Sequence, residues 1–410
     1  MEGKTIGPLA GVRVLDLSRV LAGPWSAQIL GDMGADVTKV ERPGHGDEAR
    51  TYGLALKAAD GRPTPAAMHL VANRNKRSIT IDFSRPEGAA LVKRMAEQSD
   101  VLIENFLPGV LARFGLDFET LHAVNPRLVY CSITGFGQTG PYSGRPGYDA
   151  VFQAHGGLMS VTGLPDGVPG GGPMKTGASV VDVSTGFVAA IGILCALRHR
   201  DLTGEGQHVD ATLLDTVIAL QSSLVQSFLI NREQPKRKGT DGNGGHPARV
   251  FPCADGDIYI SAGHQQHYEA LCRTLGLETL IGDTRFADNR LRFANREAWN
   301  AVAAPVIAEW RRQELLDALV AAKVPAALVN DYHDVFSDEQ VRHRGIEVKA
   351  PNPRDPEGEI SMLASPVRLS STPATYRRPP PELGQHTDEV LREIGLGDEA
   401  IAELRAQRVI

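Results

Sequence analysis

An α/β protein, with a doubly wound parallel sheet in a large domain and a smaller α+β domain, is predicted by three observations. Short apolar runs bounded by turn residues alternate with helix-period segments from residue 12 to residue 133. Glycine (43) and proline (26) are plentiful enough to close many tight connections. A polar, basic, glycine-rich stretch at 231–249 interrupts the apolar patterning, and a chain of 410 residues exceeds what a single core usually serves, so a division is expected there.

VRVLDL at 12–17 reads as a buried strand. After the loop SRVLAGP, a helix is predicted from about Trp25 to Met33, Gly34 ends it, and DVTKVE at 36–41 forms the next strand. A strand–helix–strand unit favours parallel pairing. Ser84 and Glu87 suggest a capping box for a helix over Ala89–Gln98. DVLIENF (100–106) and LVYCSI (128–133) are further strands, with a helix near 118–124 between them. This alternation is that of a Rossmann-like domain. A helix follows at Asp149–Leu158, then a glycine- and proline-rich loop at 163–173, an apolar helix from Asp182 to His199, a strand at 207–211 and a second long helix over Leu213–Ile230. Residues 250–261 predict a hairpin turning at Asp255 and Gly256. Helices are expected to about 322, a short strand at 324–329, strands near 358–369, a proline-rich connection at 379–381 and a helical end.

The net charge of -6 gives no general attraction to nucleic acid. Cys131, Cys195, Cys253 and Cys272 form no C-x-x-C pair and sit among apolar residues, so reduced core thiols and a cytoplasmic location are expected. No charged segment followed by an apolar run opens the chain. The most apolar stretch, Gly186–Leu197, is short for a bilayer span and reads as a buried helix, so no membrane partner is expected. Glu41 ends the second strand, where an acid could hold an adenosine ribose. The loop before it offers only Gly23, followed by Pro24, and a dinucleotide needs several glycines at the helix start. His264 and His267 lie at i, i+3 without an acidic or cysteine partner nearby in sequence, which argues against a metal site.

An ordered set of segments is more specific than any of these. PLAGVRVLDLSRVLAGPWSAQILGDMGADVTKVERPGHGD (8–47), NRNKRSITIDF (73–83) and ENFLPGVLARFGLDFETLHAVNPRLVY (104–130) resemble the family III CoA-transferases. So do ITGFGQTGP, GYDAVFQAHGGLMSVTG, VVDVSTG, TGEGQHVDATLLD and GQHTDEVLREIGL further on. The resemblance implies a large domain built from both chain ends (1–230 and 336–410), a glycine-rich segment at 231–249 and a small domain at 250–335. It also implies an interlocked homodimer, acyl-CoA and a small carboxylic acid as substrates, and no permanently bound cofactor.

Site residues follow from the residues and the resemblance together. Asp182, with Ser184 and Thr185 beside it, reads on its own as a helix N-cap. The resemblance places the family's catalytic aspartate there, in VVDVSTG, and a helix N-terminus is expected to keep that carboxylate ionised. Gly239, Gly242, Gly244 and Gly245 read as a flexible linker; the resemblance implies a glycine loop, with Gly242, Gly244 and Gly245, that closes over the intermediate. Arg42, Arg74, Lys76, Arg77 and Arg113 read as surface charge or as phosphate ligands, and the resemblance favours Arg42 and Arg113 for CoA. It also places Val20, Ala22, Asn105 and Phe106 along the CoA path. In the family's racemases a His-Asp pair stands where this chain has Tyr148-Asp149. Tyrosine, with a pKa of about 10, is a poor base at neutral pH. Tyr148 therefore suits a hydrogen bond to an acyl or acceptor carboxylate, or plain packing. The leading expectation is a CoA-transferase working through an aspartyl anhydride and an aspartyl-CoA thioester. An acyl-CoA racemase and a non-catalytic CoA-binding protein are the alternatives. The ITGFGQTGP…GYDAV stretch resembles transferases using succinyl-CoA and small dicarboxylates or hydroxy acids.

Overall fold

The computed structural model describes residues 7–55, 61, 64–352 and 357–410. Six strands, β1 (Arg13–Asp16), β2 (Asp36–Glu41), β3 (Lys76–Thr80), β4 (Val101–Glu104), β5 (Val129–Thr134) and β6 (His208–Thr212), form one sheet. Its order is β3-β2-β1-β4-β5-β6, and every neighbouring pair is parallel. Strands β2 to β5 are buried almost throughout, as a sheet covered on both faces requires, while the edge strand β6 is buried only at Ala211 and Thr212. On one face Leu15, Val40, Ile79, Leu102 and Tyr130 pack with Leu91 and Val92 of helix Pro86–Glu97 and with Leu391 and Ile401 from the C-terminal end. On the other, Val14, Val37, Val101, Val129 and Cys131 pack with Ala27 and Leu30 of helix Ala22–Asp32 and with Ala189 and Ile193 of helix Val180–Thr203.

The chain divides into two units. The larger holds the described residues up to Leu158, Lys175–Glu233 and Gly345–Ile410. Its last part docks on β3: Thr80 N–H donates to Thr387 Oγ1 (3.0 Å), and Asp82 N–H to the Val409 carbonyl (2.7 Å). The smaller unit, Met159–Met174 with Gln234–Arg344, has the antiparallel sheet β7 (Ala248–Cys253), β8 (Gly256–Ser261), β9 (Ala326–Leu328) around Phe251, Tyr268, Phe286 and Trp299. The expected boundary at 230 omitted residues 159–174. These are tied to 234–239, where Arg237 Nη1 donates to the Ser160 carbonyl (3.0 Å) and Gly239 N–H to that of Gly163 (3.0 Å). A hairpin of β10 (Glu347–Pro351) and β11 (Glu359–Leu363) belongs to the larger unit.

Several local expectations are corrected. Helix Pro86–Glu97 starts without a side-chain cap. Proline opens it, and the Ser84 hydroxyl donates instead to Asp82 Oδ1 (2.5 Å). The apolar helix runs for 24 residues, Val180–Thr203, and is by length and composition long enough to cross a bilayer. Its inner face is nevertheless buried on the sheet. The helix expected over Leu213–Ile230 is two, Leu213–Leu220 and Ser222–Asn231, bent by 82°. Cys195, expected in the core, is exposed, while Cys131 and Cys272 are buried.

Candidate active site

Reversal of strand order at β1 and β4 leaves a crevice beyond their carboxyl ends, the usual ligand position in an open parallel sheet. A cavity of about 260 Å³ lies there. It brings Val20 and Ala22 after β1 together with Asn105 and Phe106 after β4, and with Tyr148 and Asp182. A second cavity of about 530 Å³ shares Arg19, Glu48 and Phe106 with the first and reaches Arg42. Arg113 lines a third, of about 380 Å³, with Ser84, Arg85 and Lys93. Six of the expected residues therefore converge, Arg42 stands next door, and Arg113 lies further along, linked through Ser84.

Asp182 is not the N-cap. The helix begins at Val180, which puts Asp182 in its first turn. The cap is supplied by Asp149, whose Oδ2 accepts from Val181 N–H (2.8 Å) and Asp182 N–H (3.0 Å). Gln153 Nε2 donates to the other oxygen at 2.5 Å. The expectation of a readily ionised Asp182 is also corrected. Burial first, then the Asp149 charge, push its carboxyl up to about 7. Asp149 is thus a site residue that the sequence reading passed over, although it follows Tyr148 directly.

Tyr148 is 62% exposed, which removes the packed-aromatic reading. Arg145, on the same cavity, lays its guanidinium over the Tyr142 ring at 3.6 Å. Asn105 lines the cavity but its amide is committed to the scaffold: Oδ1 accepts from Arg19 N–H (2.8 Å) and Nδ2 donates to the Arg19 carbonyl (2.7 Å). Phe106 meets Phe83 edge-on at 5.7 Å and carries the Arg19 guanidinium 4.7 Å from its ring centre.

The basic cluster separates by burial. Arg74 pairs with Asp32 (2.5 Å), Lys76 with Asp16 (2.8 Å), and Arg77 with Asp36 (2.6 Å) and Glu393 (2.7 Å). All three are buried and occupied. Arg42 and Arg113 are exposed, with no acid partner among the described residues. Glu41 accepts from Arg50 Nε and Nη2 (2.8 and 2.7 Å) and from Ser78 Oγ (2.6 Å), so it is not free to hold a ribose.

Gly242, Gly244 and Gly245 belong to the smaller unit, and two of them are packing requirements. A Cβ on Gly242 would stand 3.0 Å from that of Ala248, and one on Gly245 would stand 2.9 Å from Asn289 Oδ1. Only Gly244 faces open space. Asn289 ties this segment down, donating to the Gly244 carbonyl (3.1 Å) and accepting from His246 N–H (3.1 Å).

The comparisons with known proteins agree on one family. The sequence profile of CoA-transferase family III matches residues 9–387. The chain is 42% identical over 392 residues to a succinate–glutarate CoA-transferase of Agrobacterium fabrum, covering 94% of this chain and 96% of that protein. It is 39% identical over 404 residues to the succinyl-CoA:glutarate CoA-transferase of Mus musculus, covering 98% and 90%. Among solved structures, a CaiB/BaiF family protein of Brucella suis superposes with a TM-score of 0.84 at 40% identity, over 95% of this chain and all of the other. A parallel six-stranded α/β chain with relatives of this kind along nearly its whole length belongs to CoA-transferase family III.

Proposed function

We propose that the protein transfers CoA from succinyl-CoA to a small dicarboxylic acid of glutarate type, with Asp182 as the covalent nucleophile. The observation that carries this reading is the convergence on one cavity of Asp182 with both strand-end loops, 19–22 and 105–107. The donor and the acceptor class come from the relatives' names, succinate–glutarate and succinyl-CoA:glutarate transferase.

The chemistry runs as four displacements. Ionised Asp182 attacks the thioester carbonyl and expels CoA thiolate, leaving a succinyl–aspartyl anhydride. The thiolate attacks the aspartyl carbonyl of that anhydride and releases succinate, giving an aspartyl-CoA thioester. The acceptor carboxylate attacks the thioester and expels thiolate again, forming a second anhydride. The thiolate then takes the acceptor's acyl group and frees Asp182. Both anhydride and thioester hydrolyse, so the site must exclude water. Asp149 holds the start of the helix that carries Asp182, and its charge tunes the nucleophile. Tyr148, exposed on the same cavity, donates to an acyl or acceptor oxygen in this reading. Arg42 and Arg113 serve the CoA phosphates, which suit charge-assisted bonds from arginine.

A homodimer completes the reading. The helix Val180–Thr203 exposes Val188, Ile191 and Leu194, and the pair that follows exposes Ile218, Leu220, Phe228, Leu229 and Ile230. So much exposed apolar surface on adjoining helices marks an interaction face. Incubation with succinyl-CoA and a panel of acids, followed by mass detection of new thioesters, tests the activity. Formation of glutaryl-CoA is the expected result, and failure to form any new thioester would refute it.

A further inference from the structure

The loop after β1 is fixed at each backbone group from the Ser18 N–H to the Val20 N–H, always by a side chain from elsewhere or by the strand end. Ser18 N–H donates to Asp16 Oδ1 (3.0 Å), and the Ser18 carbonyl accepts from Lys39 Nζ (2.7 Å). Arg19 N–H and carbonyl are both taken by Asn105. Val20 N–H points between the two oxygens of Asp47, at 3.0 and 3.2 Å.

Val20 adopts φ +68°. That is the left-handed region, where a β-branched residue is a genuine outlier because its Cβ crowds the following carbonyl. Strained backbone persists only where the surroundings over-determine it, and it gathers at functional sites. Here the surroundings are Asp47 and its partners. Lys39 Nζ stands 2.9 Å from Asp47 Oδ2, with both side chains buried. Asp47 Oδ1 also accepts from Ala49 N–H (2.9 Å), and Asp47 N–H donates to Glu41 Oε2 (2.9 Å), itself clamped by Arg50. Val20 is a wall of the cavity that Asp182 also lines.

We propose that Asp47 is a positioning residue for the acyl-transfer step. With Lys39 it forms a buried ionic clamp that holds Val20 left-handed, and this sets the wall against which the reacting thioester lies beside Asp182. Both side chains are buried at the edge of the second cavity, and they act on the reacting end through the Val20 backbone. The proposal rests on the reading that this cavity takes the thioester end of an acyl-CoA. A residue that places the reacting end, rather than the nucleotide, affects kcat more than KM.

The test is a double-mutant cycle on the full chain, with transfer from succinyl-CoA to glutarate as the assay and direct binding of succinyl-CoA as the control. In the Val20 background, Asp47→Ala is expected to lower kcat about tenfold while KM for succinyl-CoA moves less than about twofold. Glycine reaches the left-handed region without cost, so the clamp becomes dispensable beside it. In a Val20→Gly background, Asp47→Ala is therefore expected to lower kcat by less than about twofold. Should Asp47→Ala fail to fold, Asp47→Asn, which keeps an acceptor but loses the charge, is read in the same two backgrounds with the same ordering expected. Equal losses in both backgrounds, or a loss that falls on KM alone, would overturn the clamp. A wild-type protein that binds no succinyl-CoA would instead refute the parent reading.

Discussion

A carboxylate that attacks a thioester must be ionised, yet burial and the neighbouring Asp149 push Asp182 up to about 7. Activity at subsaturating succinyl-CoA should therefore climb with pH through the neutral range, with its acidic limb near pH 7 rather than pH 4. Asp149→Asn removes the second cause and leaves burial, so the limb should move to lower pH, and a pH–rate series on both proteins reads this. Stability carries the opposite sign. The folded pKa lies above the unfolded 3.8, so this group's favourable contribution is complete below about pH 4 and is lost as pH rises through 7. Asp182→Asn should then melt a few degrees above wild type at pH 8 and level with it at pH 4, while having no transferase activity. Arg42→Ala and Arg113→Ala should raise KM for CoA esters several-fold and leave kcat less affected, since a phosphate contact contributes mainly uniform binding; unchanged KM in both would place CoA elsewhere. At this scale the sequence singled out Asp182 through VVDVSTG, and the fold puts it on the cavity, but nothing in the sequence pointed to its surroundings. A serine, a threonine and an acid at a helix start look like a cap, and only the fold brings Asp149, 33 residues earlier, onto those amides.

Elements were legible where their burial is apolar and hidden where it is ionic. The strands VRVLDL and DVTKVE stand out as valine- and leucine-rich runs, and β1 and β2 fall within them. β3, KRSIT, opens with a lysine and an arginine, which do not read as strand interior. Both are buried because Asp16 waits for Lys76, and Asp36 and Glu393 for Arg77. The bend after Leu220 is equally silent. The run LLDTVIALQSSLVQSFLIN has no proline or glycine, so its apolar pattern reads as one helix. The chain turns because Gln221 Nε2 donates to the Val217 carbonyl (3.0 Å) and that of Gly156 (2.7 Å), satisfying a helix end, and because Ser222 takes φ +48°. The outer apolar stripe of helix Val180–Thr203 yields the prediction at this level. Ile191, 61% exposed, should lie in the homodimer interface, so Ile191→Asp should shift sedimentation from dimer to monomer. A wild-type protein that sediments as a monomer at low micromolar concentration would contradict the dimer.

For the whole molecule, composition and periodicity pointed to α/β layers and a break near 231, while the discontinuous larger unit followed only from resemblance. Contacts between residues far apart in sequence build that unit. Asn75 Nδ2 donates to the Thr375 carbonyl (2.6 Å) and Ser78 N–H to His386 Nδ1 (3.2 Å), links that no local pattern encodes. The grouping of 159–174 with the smaller unit escaped for the same reason, since glycine- and proline-rich sequence reports a loop and not what the loop packs on. The proposed reaction passes CoA through Asp182. Its most direct measurement is to incubate the protein with succinyl-CoA in the absence of acceptor, quench with hydroxylamine, and map the modified peptide by mass spectrometry. A hydroxamate on Asp182, absent from Asp182→Asn, is the predicted result; a hydroxamate confined to another carboxylate such as Asp149, or full transfer activity in Asp182→Asn, would contradict it.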